Sequence, residues 1–252
     1  MREIKKKKEL RVWSIIFWLI VWYIVSKIID SKIILVSPIS VFQTLLEILP
    51  TGDFWKTISF TFLRIAGGFL SALIIGSLLA VISTKISLVR QLMVPLIIVI
   101  KSVPVASFII LSLLWFSSKN ISIFISFLMV FPIIYSNVLT GLEETDEKLI
   151  EMAHVFRIPV MKRIKYIYIP EIMPYFRVGC SMGLGLCWKS GVAAEVIGMP
   201  KGSIGEKLQQ SKIYLETPEL FAWTIVIIVI SLLFEKLFLL FLDKVSKSWE
   251  RI

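Results

Sequence analysis

The sequence predicts an all-α, polytopic membrane protein of about six transmembrane helices. Three observations predict it. Of the 252 residues, 57% are hydrophobic, with a mean hydropathy of +0.85; six apolar runs each approach the length that crosses a bilayer; and the charged residues gather in the connections between them. A bilayer core of about 30 Å needs roughly 20 apolar residues per helix, and a water-soluble domain carries a smaller apolar fraction. Lys and Arg number 28 against 18 Asp and Glu, a formal charge of +10. Because these basic residues flank apolar runs, they read as loop charge on the cytoplasmic side of an inner (plasma) membrane. A nucleic-acid binder would set its basic residues on a soluble face with aromatics between them, so the expected surroundings are a lipid bilayer and no nucleic acid.

In chain order, residues 1–36 read as a basic tail and a first span at 12–29. That run has no small-residue cleavage site and ends in Lys27, Ile28, Ile29 and Asp30, so a retained span is expected rather than a removed signal peptide. Residues 37–59 hold Ser37-Pro38-Ile39-Ser40-Val41 followed by Phe42 to Leu49, a capped, short amphipathic helix outside the membrane. The core membrane unit is expected over 60–242, with spans at 60–82, 92–116, 121–139, 172–197 and 220–242, a cytoplasmic loop at 140–170, and a cytoplasmic tail at 243–252. In the third of the six runs, Pro104 removes a backbone donor after Lys101-Ser102-Val103, which should kink or split the helix. Broken helices at membrane depth are tolerated where protein covers them or where they line a cavity. With both termini inside, the connections carry sixteen Lys and Arg on the inner side against six on the outer, which orients both termini to the cytoplasm. Cys180 and Cys187 lie seven apart in one helix, about 10 Å along its axis, too far for a disulfide within it. They read as packing residues, and no metal site is expected.

The loop at 149–170 carries the functional signal, because a mere linker need not be amphipathic. Leu149, Met152, Ala153 and Phe156 fall at i, i+3, i+4 and i+7, one apolar stripe of a helix. Pro159 is expected to stop that helix, and a second stretch with Met161, Ile164 and Tyr168 on one side should end before Pro170. A short helix with an apolar stripe and charged neighbours suits insertion into a groove on a partner. The alternative is an interfacial segment resting on lipid headgroups.

Glu151-Met152-Ala153, with Ile167 to Pro170 behind it, resembles the EAA loop of binding-protein-dependent ABC importer permeases. The likeness is to the nitrate, sulfonate and taurine branch. It continues through Ser37-Pro38, Arg64 with Gly67-Gly68-Phe69, Pro104 with Leu114-Trp115-Phe116, Phe131-Pro132 with Asn137, Thr140-Gly141-Leu142, and Trp188 with Ala194-Glu195. The resemblance implies the MetI-like fold of type I importers, with a coupling helix that docks on ABC ATPase subunits. It also implies a second permease copy facing the first and an extracytoplasmic solute-binding protein. Carried onto this chain, it places ATPase coupling at Glu151, Met152, Ala153, Phe156, Arg157, Pro159 and Pro170. The chain departs from the motif at Met152, where a second small residue is usual, and at Arg157, where the family has a Gly that lets the backbone turn; Pro159 is expected to end the helix instead.

No G-x-x-x-x-G-K-[ST] phosphate loop occurs; the run from Pro200 to Lys207 has the wrong spacing. ATP hydrolysis is therefore expected on a separate subunit, with no cofactor on this chain. Ionisable residues at membrane depth usually face protein or water. Lys101, beside the Pro104 break, and Lys189 are candidates to approach the pathway and attract an anion, with snorkelling or pairing to an acid as alternatives. Glu195, six residues beyond Lys189 and so offset by about 120° around the helix, reads as an anchor near an outer gate. Glu235 and Lys236 read as orientation anchors near the end of the last span, and the sole histidine, His154, as a contact residue. A secondary transporter would be expected to carry an internal repeat, and an energy-coupling-factor scaffold paired Ala-Arg-Gly motifs. A membrane enzyme would need an acid, base or metal constellation. None of these is found in the sequence.

Overall fold

The computed structural model describes residues 12–29, 31 and 33–250, and within them every element is helical. The helices are α1 (Val12–Ile29), α2 (Pro38–Ile48), α3 (Gly52–Lys85), α4 (Ser87–Ser102), α5 (Val105–Ser112), α6 (Ile121–Glu143), α7 (Glu147–Val155), α8 (Val160–Arg163), α9 (Ile169–Gly198), α10 (Ile204–Ile213) and α11 (Thr217–Glu250). Five of the six expected apolar runs are helical throughout, and the third is helical on both sides of a break at Val103 and Pro104. Of these, α3, α6 and α11 are both long and apolar enough to cross a membrane, and the bent pair α4 and α5 makes a fourth if counted as one span. The described part of α1, Trp13–Ile29, is a shorter apolar helix. At 30 residues α9 has the length, but Arg177, Lys189, Glu195 and its glycines dilute its apolar character. The basic N-terminal tail, residues 1–11, lies outside the described residues.

The expected third span is not one straight rod. Val103 and Pro104 are extended, and the two helices meet at 104° across them. Pro104 cannot continue the α4 hydrogen-bond ladder and disfavours helix at the residue before it, so the chain breaks there and restarts with Pro104 capping α5. Helices also overrun their expected ends. Thr51 caps α3 by accepting from Phe54 N at 3.3 Å, so the helix begins at Gly52 rather than 60, and α11 runs through the expected boundary at 242. Apolar runs mark only the lipid-depth part of a helix; polar turns extend it beyond.

The core is a three-helix stack with α6 between α3 and α9. Ile65, Phe69, Ile125, Val130, Ile134, Leu184, Cys187 and Trp188 are buried in it. Glycines set the approach. A Cβ on Gly68 would collide with Ile123 O and Ser126 of α6, and one on Gly191 would meet Ser126 Oγ at 2.6 Å. Small residues at such contacts let backbones close in and gain dispersion where no hydrophobic driving force separates helix from lipid. A second cluster of Phe54, Ile204, Trp223 and Val226 joins α3, α10 and α11. The predicted short helix α2 forms as expected, with Ser37 as cap and Pro38 in its first turn, and packs with Val36 and Val41 against Ala222 of α11.

Candidate functional site

The expected coupling loop folds as α7, a tight turn and α8. Asp146 caps α7 by accepting from Lys148 N at 2.9 Å, with Glu147 in the first turn, both favourable to a helix N-terminus. The helix then closes on itself: Arg157 N donates to His154 O at 3.0 Å and Ile158 N to Ala153 O at 2.9 Å. This pair of bonds is a Schellman motif, which demands a left-handed residue after the cap. That residue is Arg157, at φ +49°. The arginine thus takes the conformation a glycine would take, at a cost of about 1–2 kcal/mol. Pro159 does not stop α7, which ends at Val155; its carbonyl instead accepts from Lys162 N and Arg163 N and starts α8. A left-handed residue had already reversed the chain before the proline was reached.

Arg163 braces this turn. Its Nε donates to Ile158 O at 2.7 Å, and its Nη1 lies 3.2 Å from Nε2 of His154. The same Nη1 lies 3.5 Å from Nδ1; a guanidinium can only donate, so the bond goes to whichever ring nitrogen is unprotonated.

The predicted stripe divides between two environments. Ala153 is wholly buried and Leu149 partly so, whereas Met152 and Phe156 are exposed, Phe156 at 74%. Val155 and Val160, which the helical period did not single out, are exposed beside them, as is Met161 of the second predicted stretch. Together they make an apolar knob, with Glu151 also exposed. A cleft of about 520 Å³ lies against it, lined by Leu149, Met152, Phe156, Ile158, Pro159 and Tyr166 among others.

The second stretch does not end before Pro170. It passes through a π-helical turn, Ile164–Tyr168, straight into α9, with Ile169 N bonded to Ile164 O. A proline at 170 has no N–H for the carbonyl four residues back and crowds it. The wider π turn absorbs that mismatch without ending the helix.

Of the expected pathway residues, Lys101 lies in the last turn of α4, exposed, with Nζ 3.5 Å from Ser136 Oγ, and Pro104 is exposed at the break. On α9, Lys189 is exposed and Glu195 is fully buried, so the two occupy different faces as their spacing requires. Glu195 Oε2 accepts from Thr61 Oγ1 at 2.8 Å and from Gly205 N at 3.4 Å, while Thr61 Oγ1 accepts from Ile204 N at 3.0 Å. One carboxylate therefore ties α3 and α9 to the start of α10. Glu235 stands in the middle of α11, not near its end, and accepts from Ser181 Oγ of α9 at 3.1 Å. Eight residues further along α11, Asp243 pairs with Arg177 of α9, with Arg177 Nε 2.6 Å from Oδ1.

Residues 72–251 match the model of a family described as binding-protein-dependent transport system inner membrane component. The chain is 24% identical over 221 residues to the putative aliphatic sulfonates transport permease protein SsuC of Bacillus subtilis, covering 87% of this chain and 79% of that one. It is 25% identical over 211 residues to the taurine transport system permease protein TauC of Escherichia coli, covering 81% and 76%. To the nitrate import permease protein NrtB of Leptolyngbya laminosa it is 29% identical over 148 residues, 58% of this chain and 52% of that one. Among solved structures, that of an amino acid ABC transporter with histidines superposes with a TM-score of 0.51 at 18% identity, over 77% of this chain and 89% of the other, a likeness of fold.

Proposed function

Because the chain belongs to the family of binding-protein-dependent transport system inner membrane components, we propose that it is the permease subunit of an ATP-driven importer, coupled through α7 and the turn at 156–159 to a separate ATPase chain. ATP is bound and hydrolysed by that partner, and this chain needs no cofactor of its own. Two copies of the permease face each other across the pathway, and a solute-binding protein delivers the solute from outside. Both termini lie in the cytoplasm, the side favoured by the Lys and Arg distribution.

The observation that carries the reading is the apolar knob. Phe156, Val155, Val160 and Met161 stand largely exposed at a turn anchored from beneath by the buried Ala153. An apolar knob of this kind, rigidly set and flanked by charge, suits a partner's groove. Met152, Ala153, Arg157, Pro159 and Pro170 shape and position it, and Glu151 adds a charge at its edge. ATP binding closes the ATPase pair, the two knobs travel with it, and the outward-open state gains stability by the difference in contacts; hydrolysis reverses the shift.

The solute is small and anionic. Relatives are named for aliphatic sulfonates, taurine and nitrate, and Lys101 and Lys189 are exposed, on α4 and α9, where a cation would attract such a solute. Glu195, buried on a different face of α9 from Lys189, anchors the outer end of the pathway.

Glu151→Lys tests the docking. The variant is expected to insert in the membrane at normal yield and to lose the ATPase on purification. Recovery of the ATPase in the wild-type amount would argue against the assigned turn.

A further inference from the structure

We infer that Arg163 is a positioning residue, whose guanidinium holds the Arg157 turn in the left-handed shape needed for docking and so sets the affinity for the ATPase. The inference rests on the docking reading above and adds to it a part the sequence resemblance does not supply.

A left-handed arginine is disfavoured because its Cβ crowds the following carbonyl. Two backbone bonds close the turn, Arg157 N to His154 O and Ile158 N to Ala153 O. Of the elements they join, α8 is the first turn of a helix that continues through the π turn into α9, but α7 has only nine residues, and a helix of that length does not hold itself in water. Something beyond local propensity has to fix the angle between them.

Arg163 is placed to do so. It is the last residue of α8, partly buried, and its planar fork reaches both sides of Arg157 at once: the His154 ring before it and the Ile158 carbonyl after it. A fork of fixed geometry with several donors can satisfy two acceptors that a lysine, a point charge on a flexible stem, would serve singly. Bonds from a charged donor are also stronger than neutral ones. Where a glycine would remove the strain, Arg163 offsets it, and it locks α8 onto α7 in the same step.

The test uses the full-length permease co-expressed with the ABC ATPase proposed as its partner. Arg163→Gln is expected to weaken ATPase retention by on the order of tenfold, the loss typical of one charge-assisted hydrogen bond, at unchanged membrane yield. The Ile158 amide should exchange its hydrogen faster in the permease alone. Arg163→Lys should fall between wild type and Arg163→Gln. Adding Arg157→Gly to Arg163→Gln should restore most of the retention and slow the exchange again, a rescue that general loss of structure would not give. Wild-type retention in Arg163→Gln would overturn the inference, as would a double variant as weak as the single one. A wild-type permease that retains no ATPase would instead sink the docking reading itself.

Discussion

Glu195 shows what one side chain can do when it is buried with partners. A carboxylate taken out of water is costly unless its oxygens are bonded; Oε2 is held by Thr61 and by the Gly205 amide, whereas Oε1 is buried without a hydrogen-bond partner. The Gly205 amide lies in the first turn of α10, where the helix dipole favours negative charge. Replacement by alanine would strip partners from Thr61 and Gly205 together, so Glu195→Ala should lower stability by about 2–4 kcal/mol. Glu195→Gln, which can still accept from Thr61, should lose less. Thermal unfolding of the purified protein in detergent measures both. At Arg157 the sign reverses: Arg157→Gly removes the left-handed penalty and should stabilise the turn by about 1 kcal/mol, seen as slower hydrogen exchange at Ile158. Neither residue's geometry was legible in the sequence. Glu195 reads there as a charge in an apolar run, but its partners Thr61 and Gly205 come from other elements. The departure at Arg157 was visible, yet a propensity argument points to a changed turn, whereas tertiary bracing keeps the same one.

At the scale of elements, the close approach of α3 to α6 depends on glycine where no side chain fits. Gly68→Ala would press a methyl into Ile123 O, a backbone atom that cannot step aside, and should cost about 1–3 kcal/mol. Gly185→Ala, on α9, meets nothing within 4 Å and should leave the unfolding midpoint and membrane yield unchanged. The pair of midpoints checks the packing. The long apolar helices were legible because lipid selects strongly for uninterrupted apolar runs. The break at Pro104 was legible because a missing donor is a property of the residue itself. Helix α10 was not expected, since it is short and polar, although a signal was present. Ser203 and Glu206 have the spacing of a capping box, and Glu206 N does donate to Ser203 Oγ at 3.0 Å, while Glu206 Oε2 accepts from Gly202 N at 2.6 Å. The π turn before α9 lacked any such local sign beyond Pro170, which by itself suggests an end rather than a detour.

Across the whole molecule, a packed stack of α3, α6 and α9 is surrounded by helices whose apolar side chains remain uncovered. Trp13, Trp18 and Ile28 of α1 and Leu232, Leu233, Leu237 and Phe241 of α11 are all exposed, a periphery suited to lipid. The knob at Phe156 is a different case, since it stands on a loop flanked by Glu151, Arg157, Lys162 and Lys165. Helical period located that loop because residues sharing a stripe recur at fixed spacing. It could not say which members of the stripe the protein covers itself and which it offers outward, because that division, with Ala153 buried and Phe156 exposed, is made by tertiary packing and not by the helical period. The proposed role of this outward part can be tested where it matters. A photoreactive phenylalanine analogue placed at Phe156, in the permease purified with its ATPase and native lipids, is predicted to crosslink to the ATPase chain, with a yield that changes when ATP is added. Adducts formed with lipid alone, and none with another polypeptide, would contradict the docking of this turn and with it the importer mechanism.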